Sequence, residues 1–187
     1  GPRMIVVLDS GHGGLDPGAV GIAGTQERHV CWEVAQAVRK WLEANGRTAY
    51  VVPHNDLTVK PHGNWAAERR RWAREKKADV FLSLHMNSNF GNPGTGLEVL
   101  RRDPRWINRA ERFCAVLAKA SGLRNRGVGR LGLAVLRQHA TSVTALPLDC
   151  VALLLEMGFV NNEHDLKVVR GQGYPAMLGH CIIDALK

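Results

Sequence analysis

A chain of 187 residues with 45% hydrophobic and 22% charged side chains is long enough to bury its own core and too apolar for a disordered segment. No apolar run approaches the roughly 20 residues needed to span a bilayer, and the four cysteines form no CxxC pair, which excludes a cysteine-clustered zinc knuckle or a dithiol redox motif. A formal net charge of +8 attracts polyanions in general, so charge alone does not choose among nucleic acid, anionic membrane and anionic polymer.

Gly1-Pro2 ahead of Met4 reads as the remnant of a cleaved tag, and a single domain is expected over residues 1–187. Met4 to Leu8 is a short run rich in β-branched residues, too short and wrongly flanked for a signal peptide, and it predicts a first strand. The glycines of the loop Asp9-Ser10-Gly11-His12-Gly13-Gly14-Leu15-Asp16-Pro17-Gly18 forbid a regular element there. From Glu27 to Ala44, Val30, Val34, Ala37, Val38, Trp41 and Leu42 recur at helical spacing, and Asn45-Gly46 supplies the stop.

Thr48 to Val52 predicts a second strand, and Asn64 to Lys77 a second helix whose interleaved arginine and glutamate mark a solvated face. Asp79 to His85 predicts a third strand, apolar enough to be covered on both faces. Gly96 to Leu100 follows a turn as a fourth strand, and Pro104 opens a helix reaching Ala120. Leu131 to Leu136 and Cys150 to Leu155 predict two further strands, with closing helices at Asn162–Val169 and Pro175–Leu186.

Strands alternating with helices indicate an α/β domain, a twisted mixed sheet of about six strands with helices on both faces. Cys31, Cys114 and Cys181 fall in helical patterns and Cys150 at a strand entrance, where a buried free thiol is expected. The stretch Leu100 to Leu136 reads as one ordinary helix and its loop.

In open α/β sheets, ligands bind outside the carboxyl ends of the strands. The polar groups delivered there are His12, His85 and Glu156, each after an apolar strand, and Glu27 adds a carboxylate at the start of the first long helix. Two histidines and one carboxylate make a zinc shell with an open fourth position. Each residue taken alone has a plainer reading: His12 as a turn cap, His85 as a core histidine, and Glu27 as a carboxylate favoured by the helix dipole. Glu156 resists such a reading, because a carboxylate following five apolar residues needs a cation to offset its burial.

Three segments, Ile5-Val6-Val7-Leu8-Asp9-Ser10-Gly11-His12-Gly13-Gly14, Ser83-Leu84-His85-Met86-Asn87 and Leu154-Leu155-Glu156-Met157-Gly158-Phe159-Val160-Asn161-Asn162, resemble the signature segments of bacterial and phage zinc N-acetylmuramoyl-L-alanine amidases. The resemblance runs essentially end to end. It implies zinc (Zn2+) on His12, Glu27 and His85, with Glu156 as the catalytic acid-base, and cleavage of the bond between N-acetylmuramic acid and the L-alanine of the peptidoglycan stem peptide. Ser10 and Met86 stand where proline and alanine are common in that family, and neither change removes a ligand.

Asp9 is a candidate for orienting a ligand histidine, and Asn87 and Asn161 are expected mainly to shape loops. His29, His54, His62, His139, His164 and His180 lack comparable placement and read as surface or packing residues.

With no long inhibitory helical insertion before Glu156, the resemblance implies an unoccluded, phage- or prophage-type lysin. It would be made without a leader and act on peptidoglycan at the bacterial cell wall, as a monomer, with no membrane span and no nucleic-acid partner, the basic charge attracting anionic wall polymers. The alternatives are a zinc peptidase or deacetylase acting on another wall amide and a non-catalytic wall-binding domain. The lack of an HExxH helix disfavours the first, and the absence of cysteine ligands disfavours a closed structural zinc site in the second.

Overall fold

The computed structural model describes residues 3–13, 16–53, 65–89, 91, 94–130 and 149–187. Its strands are β1 (Ile5–Ser10), β2 (Thr48–Val51), β3 (Val80–Asn87), β4 (Leu97–Arg101), β5 (Asn125–Arg130) and β6 (Val151–Phe159). Its helices are α1 (Glu27–Ala44), α2 (Trp65–Glu75), α3 (Ile107–Ser121), α4 (Glu163–Val169) and α5 (Tyr174–Ala185). A short 3-10 turn at Pro104–Trp106, capped by the Asp103 side chain on the Arg105 amide, leads into α3.

The strands form one six-stranded sheet in the order β2-β1-β3-β6-β4-β5. The first four in that order run parallel, and β4 turns antiparallel to β6 with β5 parallel beside it. The expected mixed α/β sheet is therefore present, and the parallel strands carry the β-branched and leucine-rich runs that burial on both faces requires.

Alternation along the strands divides the core. Val6, Leu8, Val80, Leu82, Leu84, Leu153 and Leu155 point to one face, where they pack with α1, α3 and α5. Val7, Phe81, Ala152 and Leu154 point to the other, with Ala73 of α2. The larger cluster includes the helix contact at Gly179, where a β-carbon would lie 2.1 Å from the Trp41 ring, so only glycine lets α5 approach α1 this closely. His180 meets the same ring edge-on at 4.5 Å. His29 and His164 are exposed, and His54, His62 and His139 lie outside the described residues. All four cysteines are free and buried, as expected.

One expectation needs correction. The stretch after α3 is not only loop: Asn125–Arg130 forms the edge strand β5. Its sequence, NRGVGR, has no apolar alternation because an edge strand faces the core with few residues, here Val128. The strand expected at Leu131 to Leu136 lies outside the described residues.

Beyond β6, Asn162 caps α4 by accepting from the Asp165 amide at 3.0 Å. Asp165 is fully buried and accepts from Thr95 Oγ1, the Gly96 amide and the Phe159 amide. It ties the entry to β4 and the end of β6 to one carboxylate. No helix among the described residues is long and apolar enough to cross a membrane.

Candidate metal centre

β3 and β6 run on past the end of β1, so His85 lies within β3 and Glu156 within β6 rather than after them, and the polar residues toward the carboxyl ends of the three strands share the face opposite α1. Alternation puts Ser83 and His85 on the same side as Phe81, and Glu156 on the same side as Leu154, while register pairs His85 with Glu156. Asp9 lies opposite Ser83 across the β1–β3 ladder. A one-residue slip of either strand would turn these groups into the opposite core, so the apolar pattern that fixes register also fixes the site.

The loop after β1 folds back over β3, where the Gly11 amide donates to the Leu84 carbonyl at 2.9 Å. His12 then takes a left-handed conformation with φ of 64°, a strained position for a residue with a side chain. The turn brings its ring to the start of α1. Gly18 leaves room there: a β-carbon on it would lie 2.6 Å from Glu27 Oε2 and 2.7 Å from His12 Cδ2.

Glu27, in the first turn of α1, sits between the two histidines. His12 Nε2 lies 3.1 Å from Oε2, and His85 Nδ1 lies 3.1 Å from Oε1. Each carboxylate oxygen also accepts one backbone N–H, from Ala19 at 2.9 Å and from Met86 at 3.0 Å. The imidazoles meet edge to face with centroids 5.2 Å apart. One donor atom from each of His12, Glu27 and His85 falls within 4.8 Å of the others. Two imidazole nitrogens and one carboxylate, nearly removed from water and converging on one point, fit a zinc ion by donor chemistry and by geometry.

The electrostatics agree. Burial pulls the His12 imidazole down, but its hydrogen bonds to Asp16 and Glu27 outweigh this and raise it to about 10. Glu27 is held below the ordinary carboxylate range, its burial overcome by the two imidazoles. The opposite holds for Glu156, whose carboxyl is pushed well above the ordinary range by burial and by the charges of Glu27 and Glu98. Among the described residues Glu156 Oε2, a buried atom, has no hydrogen-bond partner and is open to a ligand or a proton. Register places Glu98 of β4 opposite it.

His12, Glu27 and His85 thus converge, with Glu156 on the strand beside His85. Asp9 touches neither histidine: Ser83 Oγ donates to its Oδ2 at 2.6 Å, and it meets Arg69 on the other side. Asn87 Nδ2, at the end of β3, donates to Glu98 Oε1 of β4 at 3.1 Å, a contact between strands rather than within a loop, and Asn161 Nδ2 donates to the Asn89 carbonyl at 2.5 Å. Sequence reasoning passed over Asp16, which holds His12 Nδ1 at 2.7 Å. Its four-residue spacing from His12 inside a glycine-rich loop was the available signal. Arg69 and Ser83 had no signal of their own.

A family model described as N-acetylmuramoyl-L-alanine amidase matches residues 6–187. The N-acetylmuramoyl-L-alanine amidase AmiC of Neisseria meningitidis serogroup B is 38% identical over 103 residues, 54% of this chain and 23% of that protein. The probable cell wall amidase LytH of Staphylococcus aureus is 28% identical over 184 residues, 97% of this chain and 57% of that protein. The chain therefore spans only part of the length of these relatives. Among solved structures, the catalytic domain of CwlV, an N-acetylmuramoyl-L-alanine amidase from Bacillus (Paenibacillus) polymyxa var. colistinus, superposes with a TM-score of 0.76 at 25% identity, covering 98% of this chain and 96% of that one. With the match running from β1 to the final residue, this chain belongs to the N-acetylmuramoyl-L-alanine amidase family.

Proposed function

We propose that this chain is a zinc-dependent peptidoglycan hydrolase that cleaves the amide bond between N-acetylmuramic acid and the L-alanine of the stem peptide. The observation that carries the reading is the convergence of His12, Glu27 and His85 beside a buried glutamate, Glu156, whose Oε2 has no partner among the described residues.

His12, Glu27 and His85 would hold the zinc ion, which when bound would supply a Lewis acid for the scissile carbonyl and would lower the pKa of a water toward roughly 7. Asp16 orients His12 through Nδ1, which leaves Nε2 as its ligand atom. The two backbone amides on Glu27 keep its carboxylate aimed between the histidines. Glu156 accepts a proton from the attacking water at Oε2 and returns it to the departing alanine nitrogen. Burial and the nearby carboxylates make it a stronger base than an exposed glutamate.

The role proposed is that of a phage- or prophage-type lysin acting at the bacterial wall. It is supported by the sequence from Leu100 to Leu136, which carries no long inhibitory insertion of the kind that regulated members of the family have there. Arg102, Arg105, Arg124, Arg126 and Arg130, exposed around β4 and β5, support attraction to anionic wall polymers.

The test is digestion of purified peptidoglycan, with products identified by mass spectrometry, using wild-type protein, metal-stripped protein with and without restored zinc, and Glu156→Gln. Zinc-dependent release of stem peptides with a free L-alanine amine, lost in the variant, is the expected result. Cleavage within the peptide or at the sugar overturns the assignment of the bond.

A further inference from the structure

Behind His85, on the side away from Glu27, a line of polar groups runs along one face of the sheet to α2. His85 Nε2 lies 3.1 Å from Ser83 Oγ, Ser83 Oγ lies 2.6 Å from Asp9 Oδ2, and Asp9 Oδ1 lies 2.6 Å from Arg69 Nε. The relative exposures of the four residues are 2%, 0%, 1% and 3%, so water does not substitute for any of these contacts. Polar groups buried this completely raise the question of what the arrangement determines.

We propose that Arg69, Asp9 and Ser83 form a positioning chain that places the proton of His85 on Nε2 and so presents Nδ1 to the metal. This rests on the zinc reading above and goes beyond it, because none of the three is a ligand. An ionised carboxylate accepts only, and the Asp9 charge is balanced by the Arg69 guanidinium at ion-pair distance. The Ser83 hydroxyl has a single proton, and its 2.6 Å contact with Asp9 commits that proton to the carboxylate. Towards His85, Ser83 therefore accepts and does not donate.

Towards Ser83, Nε2 must then carry the N–H; Nδ1 lies 3.1 Å from Glu27 Oε1, itself an acceptor, so a metal arriving between these two takes the place of any Nδ1 proton while the Nε2–H stays on Ser83. The chain also sets the plane of the ring, since Ser83 and His85 alternate onto one face of β3 while Asp9 reaches the pair from β1. A ligand histidine so held needs no reorganisation when the ion arrives.

The polarity of the chain makes a distinctive prediction. In Asp9→Asn the amide oxygen faces Arg69 and the amide NH2 faces Ser83, so the hydroxyl turns to donate to Nε2 and the proton moves to Nδ1, the ligand atom. Ser83→Ala removes the acceptor without reversing it.

The experiment measures zinc affinity of the purified protein by competition with a chromogenic chelator, alongside thermal unfolding of the metal-free protein and nitrogen-edited NMR of the zinc-loaded imidazoles. Expected are a protected His85 Nε2–H signal in the wild type that exchanges rapidly in Ser83→Ala, a weakening of zinc binding by roughly 10–100-fold in that variant, and at least as great a weakening in Asp9→Asn.

If the chain only pinned β1 to β3, the metal-free unfolding temperature would fall while zinc affinity and the imidazole proton stayed as in the wild type, and the proposal would be overturned. Should Asp9→Asn fail to fold, Ser83→Ala and its NMR signal decide alone. A wild-type protein that binds no zinc would defeat the metal reading itself, an outcome distinct from zinc binding that is indifferent to both variants.

Discussion

Gly11 lies directly against the His85 ring, and a single added methyl there displaces a ligand without touching its chemistry. A β-carbon at Gly11 would sit 2.5 Å from His85 Cε1, 2.6 Å from Nδ1 and 2.7 Å from Nε2. Unstrained carbon contacts begin near 3.5 Å, so the ring has to retreat by about 1 Å. It has nowhere to go, because Glu27 and Ser83 hold its two nitrogens and its surroundings leave it 2% exposed. The backbone at Gly11 is outside the left-handed region, so alanine adds no dihedral strain and the methyl alone is tested.

Overpacking of this kind costs about 1–3 kcal/mol of folding stability, and a misplacement of roughly 1 Å at a reacting centre costs on the order of 100-fold in rate. The assay is kcat/KM for release of stem peptides with a free alanine amine, with zinc affinity and Tm measured on the same preparations. Gly173→Ala is the control, since its β-carbon meets nothing within 4 Å and its φ of −81° suits any residue. If Gly11→Ala keeps wild-type zinc affinity and turnover, the inferred crowding beneath His85 is wrong.

Three further outcomes follow from the same structure. Glu156→Gln should lose roughly 100- to 10,000-fold in turnover while retaining zinc. Because burial makes the native carboxylate unfavourable at neutral pH, the metal-free variant should also unfold at a higher temperature; a lower temperature would contradict this. In the metal-free protein, His12 is raised to about 10 from an ordinary 6.5, so its protonated form stabilises the fold fully below about pH 6.5 and that contribution disappears as pH rises through about 10. Zinc must displace that proton. Calorimetry at pH 7.5 in buffers of different ionisation enthalpy should therefore show release of at least about one proton per zinc bound, the His12 proton plus any lost by a water on the metal, and no release would refute it. Asp165→Ala strands two buried backbone N–H groups, at Gly96 and Phe159, and should lose roughly 1–3 kcal/mol for each in chemical denaturation.

Local patterning made much of the molecule legible. Helix α1 begins and ends where its apolar spacing and the Asn45-Gly46 stop indicate, and β1, β3 and β6 fall on the apolar runs that precede His12, His85 and Glu156. β5 was not legible, because an edge strand built from glycine and arginine has no periodicity to detect. Helix α3 starts at Ile107 rather than Pro104, since Asp103 caps a 3-10 turn first.

What the sequence by itself determined is the set of polar residues that follow apolar strands, together with the alternation that decides which face each occupies. Both are local properties of the chain, carried by side-chain periodicity. Only the tertiary structure decided that Glu27 stands between two histidines, one 58 residues from it along the chain and the other 15, that Asp16 rather than Asp9 holds a histidine directly, and that Arg69 of α2 closes a buried chain through Asp9 and Ser83. These contacts join segments distant along the chain, and their geometry exists only once strand register and the close approach at Gly11 and Gly18 have been set by packing.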